Sequence, residues 1–325
     1  MPQYHTETDR YCTQPWTCRV RGQRVSISTH IHYRLVLGTV GYPLRRLKGT
    51  EELLHAGYDV FQAMRNASSK TSRLHRDISI GNIILVKEPG RDTRRGYLID
   101  WETSSRMDPE GCSLDTSRTG TWKFMSAKIL SGPTEPHTLA DDMESLLWVV
   151  HYCSLLYLPH NLTPEGTQSI MRELYDKSVF LRGHMRGGFS KIANRVDRRM
   201  TRHIVFTNPD LQKWLDDVMD LHGPKGLFDE AAERLWKDPE NLDTLWREFL
   251  ATHTLARDDR IENEFPDPDT YHDRPEGSHV TFVPPPPPDP PAKRLVEGKI
   301  QVGREEGARG VKRKRAEPSV AASQI

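Results

Sequence analysis

The chain has 325 residues, and its 46 lysines and arginines almost balance its 45 aspartates and glutamates, which leaves a formal net charge of +1. This balance provides no overall field that would attract nucleic acid. No apolar run approaches the ~20 residues that a membrane-spanning helix needs, and residues 1–10 lack the apolar segment of a signal peptide. The composition therefore predicts neither a nucleic-acid partner nor a membrane partner.

The cysteines also bear on where the protein works. Cys12, Cys18, Cys112 and Cys153 form no CxxC pair, which argues against a zinc site. Isolated cysteines of this kind are typical of reduced thiols. We therefore expect an intracellular protein.

The first predicted elements precede residue 77. Residues 25–37 alternate and then run apolar, which predicts one or two strands, and residues 38–49 predict a connector. A helix is predicted over residues 51–64, because its apolar residues fall on one helical face: Leu53, Leu54, Val60, Phe61 and Met64.

The next segment, residues 74–85, combines a polar loop with a buried strand. It reads Leu-His-Arg-Asp-Ile-Ser-Ile-Gly-Asn-Ile-Ile-Leu. The carboxylate of Asp77 is suited to orient or accept the proton of an attacking hydroxyl. Asn82 follows five positions later and could offer its amide oxygen to Mg²⁺.

A second carboxylate follows on the next predicted strand. Residues 96–100 read Gly-Tyr-Leu-Ile-Asp, and the polar residues 86–95 before them contain Pro89 and Gly90, which predicts a hairpin loop. The hairpin would bring Asp100 beside Asn82. Two oxygen ligands, completed by phosphates and water, suit Mg²⁺.

Two further motifs follow in the order found in protein kinases. Residues 119–126, Thr-Gly-Thr-Trp-Lys-Phe-Met-Ser, resemble the end of a kinase activation segment. Residues 142–150, Asp-Met-Glu-Ser-Leu-Leu-Trp-Val-Val, resemble the buried central helix of the large kinase lobe. The phrases His-Arg-Asp-Ile-Ser, Gly-Thr-Trp-x-Phe-Met-Ser and Asp-Asp-Met-Glu-Ser resemble the fungal-type protein kinase family in particular.

The resemblance implies a set of site residues. Asp77, Asn82 and Asp100 would be catalytic, and Asn82 and Asp100 would hold the Mg²⁺ of Mg-ATP. Asp142 would brace the backbone of the catalytic loop, and Thr121 would hydrogen-bond Asp77 and align the acceptor hydroxyl.

Three supporting residues complete this set. His75 would pack in the core and shape the loop, and Ser79 stands where most protein kinases carry a lysine. Arg76 has two interpretations. It either binds a phosphate on the activation segment or pairs there without phosphorylation. The candidate hydroxyls are those of Ser113, Thr116, Ser117 and Thr119.

Residues 1–47 depart from the family pattern. No GxGxxG motif precedes the catalytic loop, and the first lysine of the sequence is Lys48. A complete small lobe of roughly 65–70 residues and the hinge after it would not fit before Asp77. Farther on, Lys128 stands where the family usually has a glutamate, which would leave an arginine of the large lobe unpaired.

The remainder predicts two amphipathic helices and a tail. Apolar residues recur at helical spacing over residues 211–219 and 242–250. From residue 256 the chain holds 11 of its 23 prolines and few apolar residues, which predicts disorder. The run Pro284 to Pro288 is a candidate ligand for SH3- or WW-type grooves, with a passive spacer as the alternative. Lys312 to Arg315 is a candidate nuclear-import signal.

The sequence therefore predicts an α+β, protein kinase-like fold. Residues 1–47 would form a partial small lobe and hinge, residues 48–255 a mostly α-helical large lobe, and residues 256–325 a disordered tail. The catalytic loop would span residues 74–85 and the activation segment residues 100–130. Two functions remain open. One is transfer of the γ-phosphoryl of Mg-ATP to serine or threonine of a protein substrate. The other is a catalytically impaired pseudokinase or kinase fragment that acts as a binding scaffold.

Overall fold

The computed structural model describes residues 40–132, 134–223 and 230–262, with backbone alone for 230–232 and for two earlier strands. Helices dominate this part of the chain, and small antiparallel sheets lie between them. The predicted mixture of α and β structure is therefore confirmed. None of the described helices is both long enough and apolar enough to cross a membrane.

The strands are short and are named in chain order. They are β1 (Trp16–Val20), β2 (Gln23–Ile27), β3 (Tyr42–Pro43), β4 (Arg73–Leu74), β5 (Ile83–Val86), β6 (Arg95–Leu98), β7 (Ser105–Arg106), β8 (Ser178–Leu181) and β9 (His184–Gly187). The helices are α1 (Thr50–Thr71), α2 (Ala127–Ser131), α3 (Leu139–Tyr157), α4 (Pro164–Met171), α5 (Phe189–Asp197), α6 (Pro209–His222), α7 (Glu230–Lys237) and α8 (Pro239–Thr252). Single 3₁₀ turns cover Leu44–Arg46, Ile80–Asn82 and Trp101–Thr103, and a π-helical turn covers Arg172–Asp176.

Helix α1 leads into the catalytic loop as predicted, and it extends beyond the predicted end at residue 64. The five apolar residues of its predicted face are all buried. The helix ends where Ser72 adopts a left-handed conformation with φ of 49°. This reversal turns the chain into β4 and brings the next residues back along the helix.

Strands β5 and β6 form the predicted hairpin, with Ile83 opposite Leu98 and Val86 opposite Arg95. Strand β3 pairs with the other edge of β5. The predicted connector over residues 38–49 is therefore wrong in part, because it contains a strand of this sheet. Leu44 and Leu47 follow that strand and are buried in the same core as α1.

Helix α3 lies at the centre of the core, and every residue from 141 to 157 is buried. Helices α6 and α8 pack their apolar faces on the same core through Trp214 and Trp246, whose ring centroids are 4.7 Å apart. Both predicted amphipathic helices are therefore confirmed. A helix that is buried on all its faces needs neighbours around it, and α1, α6 and α7 all contact α3.

The described chain continues beyond residue 256, where a disordered tail was predicted to begin. The N–H of Ile261 donates to the carbonyl of Tyr157, and the N–H of Arg260 donates to that of Lys48. Asp259 accepts hydrogen bonds from the N–H and the hydroxyl of Thr50, the first residue of α1. Residues 28–37 of the predicted strand region, residues 38–39 of the predicted connector and residues 263–325 of the predicted tail lie outside the described residues.

Strands β8 and β9 form a hairpin that the sequence analysis did not predict. Ser178 pairs with Gly187 and Leu181 pairs with His184, so the turn consists of Arg182 and Gly183. Both turn residues have positive φ, 50° and 83° respectively. Turns of this kind match the twist of two antiparallel strands.

Candidate active site

Asp142, in the first turn of α3, holds the backbone of the catalytic loop. Its Oδ2 accepts a hydrogen bond from the N–H of His75 at 2.9 Å, and its Oδ1 accepts one from the N–H of Arg76 at 3.0 Å. His137 Nε2 lies 2.8 Å from Oδ1. Arg76 has a left-handed φ of 72°, which turns two consecutive N–H groups toward one carboxylate. Asp142 therefore occupies the position expected of a brace.

His75 links the catalytic loop to the strand that leads to Asp100. Its Nε2 lies 2.9 Å from the carbonyl oxygen of Ile99, and its Nδ1 accepts from the N–H of Asp77 at 3.3 Å. Both bonds fit the tautomer that carries its proton on Nε2. The ring is buried and meets Trp101 edge-on, with centroids 4.7 Å apart.

Asn82 and Asp100 are brought together by their backbones. The N–H of Ile99 donates to the carbonyl of Asn82 at 2.9 Å. The Asn82 side chain donates through Nδ2 to the carbonyl of Asp77 at 2.9 Å, which leaves its Oδ1 as an acceptor. Asp100 has a left-handed φ of 64°, and its exposed carboxylate makes no hydrogen bond or ion pair with another described residue.

The oxygens of Asn82 and Asp100 fit the preference of Mg²⁺ for hard oxygen ligands. Mg²⁺ sites in proteins commonly use one or two carboxylates and complete the shell with substrate phosphates and water. The described residues contain no cluster of three or more His, Cys, Asp and Glu side chains arranged for a metal. Asn82 and Asp100 are two side chains that could offer oxygens to such a metal.

Thr121 binds the carboxylate of Asp77 directly. Its N–H and its hydroxyl both donate to Asp77 Oδ1, each at 2.7 Å. Gly120 makes this approach feasible, since it has a φ of 125° and a Cβ there would lie 2.6 Å from the carbonyl oxygen of Arg76. Asp77 Oδ2 makes no hydrogen bond within the part of the chain that the structure describes.

The buried side chain of Arg76 holds the middle of the activation segment. Its Nη1 donates to Asp115 Oδ2 at 2.7 Å, and its Nη2 donates to the Ser117 carbonyl at 2.6 Å and to the Thr119 hydroxyl at 3.1 Å. The hydrogen bond from Arg76 lowers the pKa of Asp115 to about 2. The unphosphorylated chain therefore already pairs Arg76 with a carboxylate.

The other candidate hydroxyls lie farther from Arg76 or are enclosed. Ser113 is buried and donates to the carbonyl of Asp115, and Thr116 is exposed. Ser79, on the catalytic loop itself, is buried, and its carbonyl accepts from the N–H of Asn82 at 3.1 Å. This contact closes the 3₁₀ turn that presents Asn82.

Lys128 does not leave a buried arginine unpaired in the described part of the large lobe. Its Nζ lies 2.7 Å from Asp141 Oδ2, so the lysine has its own acidic partner. The buried Arg198 donates to the Asp220 carboxylate at 2.8 Å and to several backbone carbonyls, among them those of Arg195 and Gly223. The expectation of an orphaned arginine is therefore wrong.

Two buried ionisable residues that the sequence analysis missed hold the end of the activation segment. Lys191 donates to the carbonyls of Lys123 and Met125 at 2.8 and 2.7 Å, and burial lowers its pKa to about 7. Glu144 accepts from the N–H of Ala127 at 2.9 Å. Burial acts to raise the pKa of Glu144, but the charge of His222 and the hydrogen bonds lower it to about 2.

Four residues at the centre of this candidate site lie in the first half of the chain. They are Asp77 in the catalytic loop, Asp100 at the end of a strand, Thr121, which binds Asp77, and Asp142, which holds the loop. The model of the fungal protein kinase family matches residues 3–154, which contain all four. The family that this model describes is the one that the motifs of the sequence indicated. No curated protein matches the chain.

Proposed function

We propose that the chain is a protein kinase-like phosphotransferase that moves the γ-phosphoryl of Mg-ATP to a serine or threonine hydroxyl of a protein substrate. The observation that carries this proposal is the state of Asp77. One carboxylate oxygen is fixed by two hydrogen bonds from Thr121, and the other is left for an incoming hydroxyl. The family match supports a kinase-like function and, in general terms, the use of nucleotide, metal and protein substrates.

Asp77 would act on the proton of the acceptor. The acceptor hydroxyl donates to Asp77 Oδ2 while its oxygen forms a bond to the γ-phosphorus. The bond from that phosphorus to the bridging oxygen breaks, ADP leaves, and the hydroxyl proton goes to Asp77. Bound Mg-ATP supplies the phosphoryl group and the charge neutralisation, and Asn82 Oδ1 and the Asp100 carboxylate are the protein oxygens that would hold its metal.

The loop from Gly120 to Ser126 supports a protein substrate over a small molecule. This loop lies against the catalytic loop at Thr121, and Lys191 and Glu144 fix its far end from beneath. A fixed loop beside Asp77 offers an extended acceptor chain a surface on which to lie. The closeness of the loop to Asp77 positions the acceptor and so lowers the entropic part of the barrier.

A second candidate function is a binding scaffold with little or no catalytic activity. The specific observation in its favour is that residues 1–47 of this sequence contain no lysine and no GxGxxG motif. Groups that position phosphates stabilise the transition state, and each ~1.4 kcal/mol that is lost lowers the rate about tenfold. A chain that lacks such groups would transfer phosphoryl slowly.

Titration calorimetry of Mg-ATP against the full chain tests the proposal. We expect binding that requires Mg²⁺ and is lost in Asp100→Ala. It should be retained in Asp92→Ala, which removes an exposed carboxylate from the β5–β6 loop. Transfer of radiolabelled phosphoryl to a mixed protein substrate then tests turnover. A folded chain that fails to bind ATP at millimolar concentration would overturn the proposal and favour the scaffold.

A further inference from the structure

The hairpin of β8 and β9 lies directly beside the loop that would position the acceptor. A Cβ added at Gly187 would lie 2.7 Å from the Trp122 ring, so the hairpin backbone packs against that tryptophan. Arg118 donates to the carbonyl of Met185, and its guanidinium lies 5.2 Å from the centre of the same ring. Trp122 follows Thr121, which binds Asp77. A chain that lay on this loop with its acceptor at Asp77 would reach the hairpin within a few residues, at about 3.3 Å per extended residue.

The two faces of the hairpin differ in what they adjoin. Side chains alternate along a strand, so Phe180 and its cross-strand partner Met185 lie on the same face as Gly187, the face that meets Trp122. We call this the Phe180 face. Phe180 is 67% exposed and Met185 is 40% exposed. The opposite face carries Val179 and Leu181, and we call it the Leu181 face.

The segments that form this surface contain no carboxylate. Residues 116–134 and 177–196 contain no aspartate or glutamate. Besides the buried Lys191, the same two segments contain seven cationic side chains: Arg118, Lys123, Lys128, Lys177, Arg182, Arg186 and Arg195. The nearby carboxylates Glu173 and Asp176 are engaged with Lys177 and Lys123.

Arg182, at the turn of the hairpin, is exposed and makes no hydrogen bond or ion pair with any described residue. Arg118 extends from the activation segment across Trp122. One-sided charge next to an exposed apolar pair favours a partner that is both acidic and apolar, because complementary charge steers the encounter and fixes the register.

We propose that the Phe180 face, together with Trp122, binds an acidic and apolar segment of the protein substrate that flanks its serine or threonine. This inference rests on the proposed function, since it takes the loop beside Asp77 to receive the acceptor. Apolar side chains of the segment pack on Phe180 and Met185, and its carboxylates face Arg118 and Arg182.

Fluorescence anisotropy with the full chain and a labelled peptide tests this surface without any turnover. In the peptide one serine is followed by alternating leucine and glutamate. The double variant Phe180→Ser, Met185→Ser should raise the peptide Kd about tenfold or more, because two apolar side chains are lost from the contact. The matched control is Val179→Ser, Leu181→Ser, which changes the Leu181 face and should alter Kd less than about twofold. Circular dichroism and thermal unfolding verify that both variants fold.

A second arm tests the charge. A peptide with lysine in place of glutamate should bind at least about tenfold more weakly than the acidic peptide. Arg182→Glu should narrow that difference, since it reverses a cation at the turn. Added salt should weaken binding of the acidic peptide.

Several results would overturn the inference. These are no binding of the acidic peptide, equal losses in the two double variants, or equal affinity for the two peptides. Sedimentation would assign the face to a second copy of the chain if it showed self-association that depends on concentration and that Phe180→Ser, Met185→Ser abolishes.

Mg-ATP calorimetry separates the inference about this surface from the proposed function. A chain that binds the peptide but not the nucleotide refutes the proposed function and keeps the surface, whereas the reverse result refutes the surface alone.

Discussion

Asp77 and Asp100 are carboxylates of one candidate site with opposite surroundings. One carboxylate oxygen of Asp77 accepts two hydrogen bonds from Thr121, and Asp142 accepts one from the backbone of the same loop. Asp100 is exposed, and only the backbone of Ile99 beside it is bound to Asn82. The fold thus assembles the acceptor side of the proposed site by itself, while on the nucleotide side it leaves Asn82 Oδ1 and the Asp100 carboxylate open to a ligand. Changes on the acceptor side should affect turnover or stability, and changes on the nucleotide side should affect binding.

The largest effect should come from Asp77→Asn. An amide cannot take up the hydroxyl proton, so turnover should fall about 10²–10⁴-fold in a phosphotransfer assay. The Mg-ATP Kd should stay unchanged, whereas Asp100→Asn should raise it. Equal weakening of Mg-ATP binding by both variants would erase the distinction between the two sides.

Asp142→Ala should give the largest loss of stability. It leaves two buried N–H groups without an acceptor and removes the partner of His137, so the free energy of unfolding should fall by about 3 kcal/mol. Urea denaturation measures this loss. Glu248→Ala removes an exposed carboxylate of α8 and should change the same quantity by less than about 0.5 kcal/mol. A similar value for both variants would mean that Asp142 does not brace the loop.

Burial of Lys191 should make the free energy of unfolding rise with pH. Its pKa is about 7 in the folded chain, against 10.5 for an ordinary lysine, because burial disfavours the charged form. Between these pH values the unfolded chain holds a proton that the folded chain has lost, so the free energy of unfolding rises with pH. The rise should be about 2 kcal/mol between pH 7 and about pH 9.

Urea denaturation at the two pH values, with Lys191→Met for comparison, measures the contribution of Lys191. The variant keeps Glu144, whose charge acts on Lys191, and His222, which pairs with Glu144. The free energy of unfolding of the wild-type chain, minus that of the variant, should increase with pH. A difference that stays constant would show that Lys191 keeps its charge in the core.

The smallest expected effect is the difference in stability loss between alanine substitutions at two glycines, Gly120 and Gly90. Gly120→Ala should cost about 2 kcal/mol of unfolding free energy, because φ of 125° is unfavourable for alanine and its Cβ would meet the Arg76 carbonyl. Gly90 has a φ of 75°, and a Cβ added there would have nothing within 4 Å. Gly90→Ala should therefore lower the free energy of unfolding by only about 1 kcal/mol. Thermal unfolding compares them, and equal costs would mean that the loop can move away from Arg76.

The sequence predicted those parts of the site whose residues are close along the chain. The loop around Asp77, the hairpin to Asp100 and the helix after Asp142 each have a short pattern of apolar and polar residues. The contacts between these parts could be expected only through the family resemblance, since Thr121 and Asp77 are 44 residues apart.

Contacts without a local pattern escaped prediction. In the sequence, Lys191 is one of several cationic residues in a polar segment, and nothing in that pattern indicates burial. Only the tertiary packing shows that it is buried beneath the activation segment. The β8–β9 hairpin was missed because an arginine occupies the first turn position, where asparagine, aspartate or glycine is the usual signal. A short run of apolar residues such as Val179 to Leu181 does not by itself distinguish a strand from a helix.

The return of residues 256–262 to the start of α1 bears on how shortened forms of this protein should be prepared. A fragment that ended at residue 255 would lose Asp259 from the first turn of the helix that carries the catalytic loop. The carbonyl of Ala256, which accepts from the N–H of Glu51, would be lost with it. Fragments for crystallisation or binding studies should therefore end at residue 262 or later, since an earlier end would make an intact site look inactive.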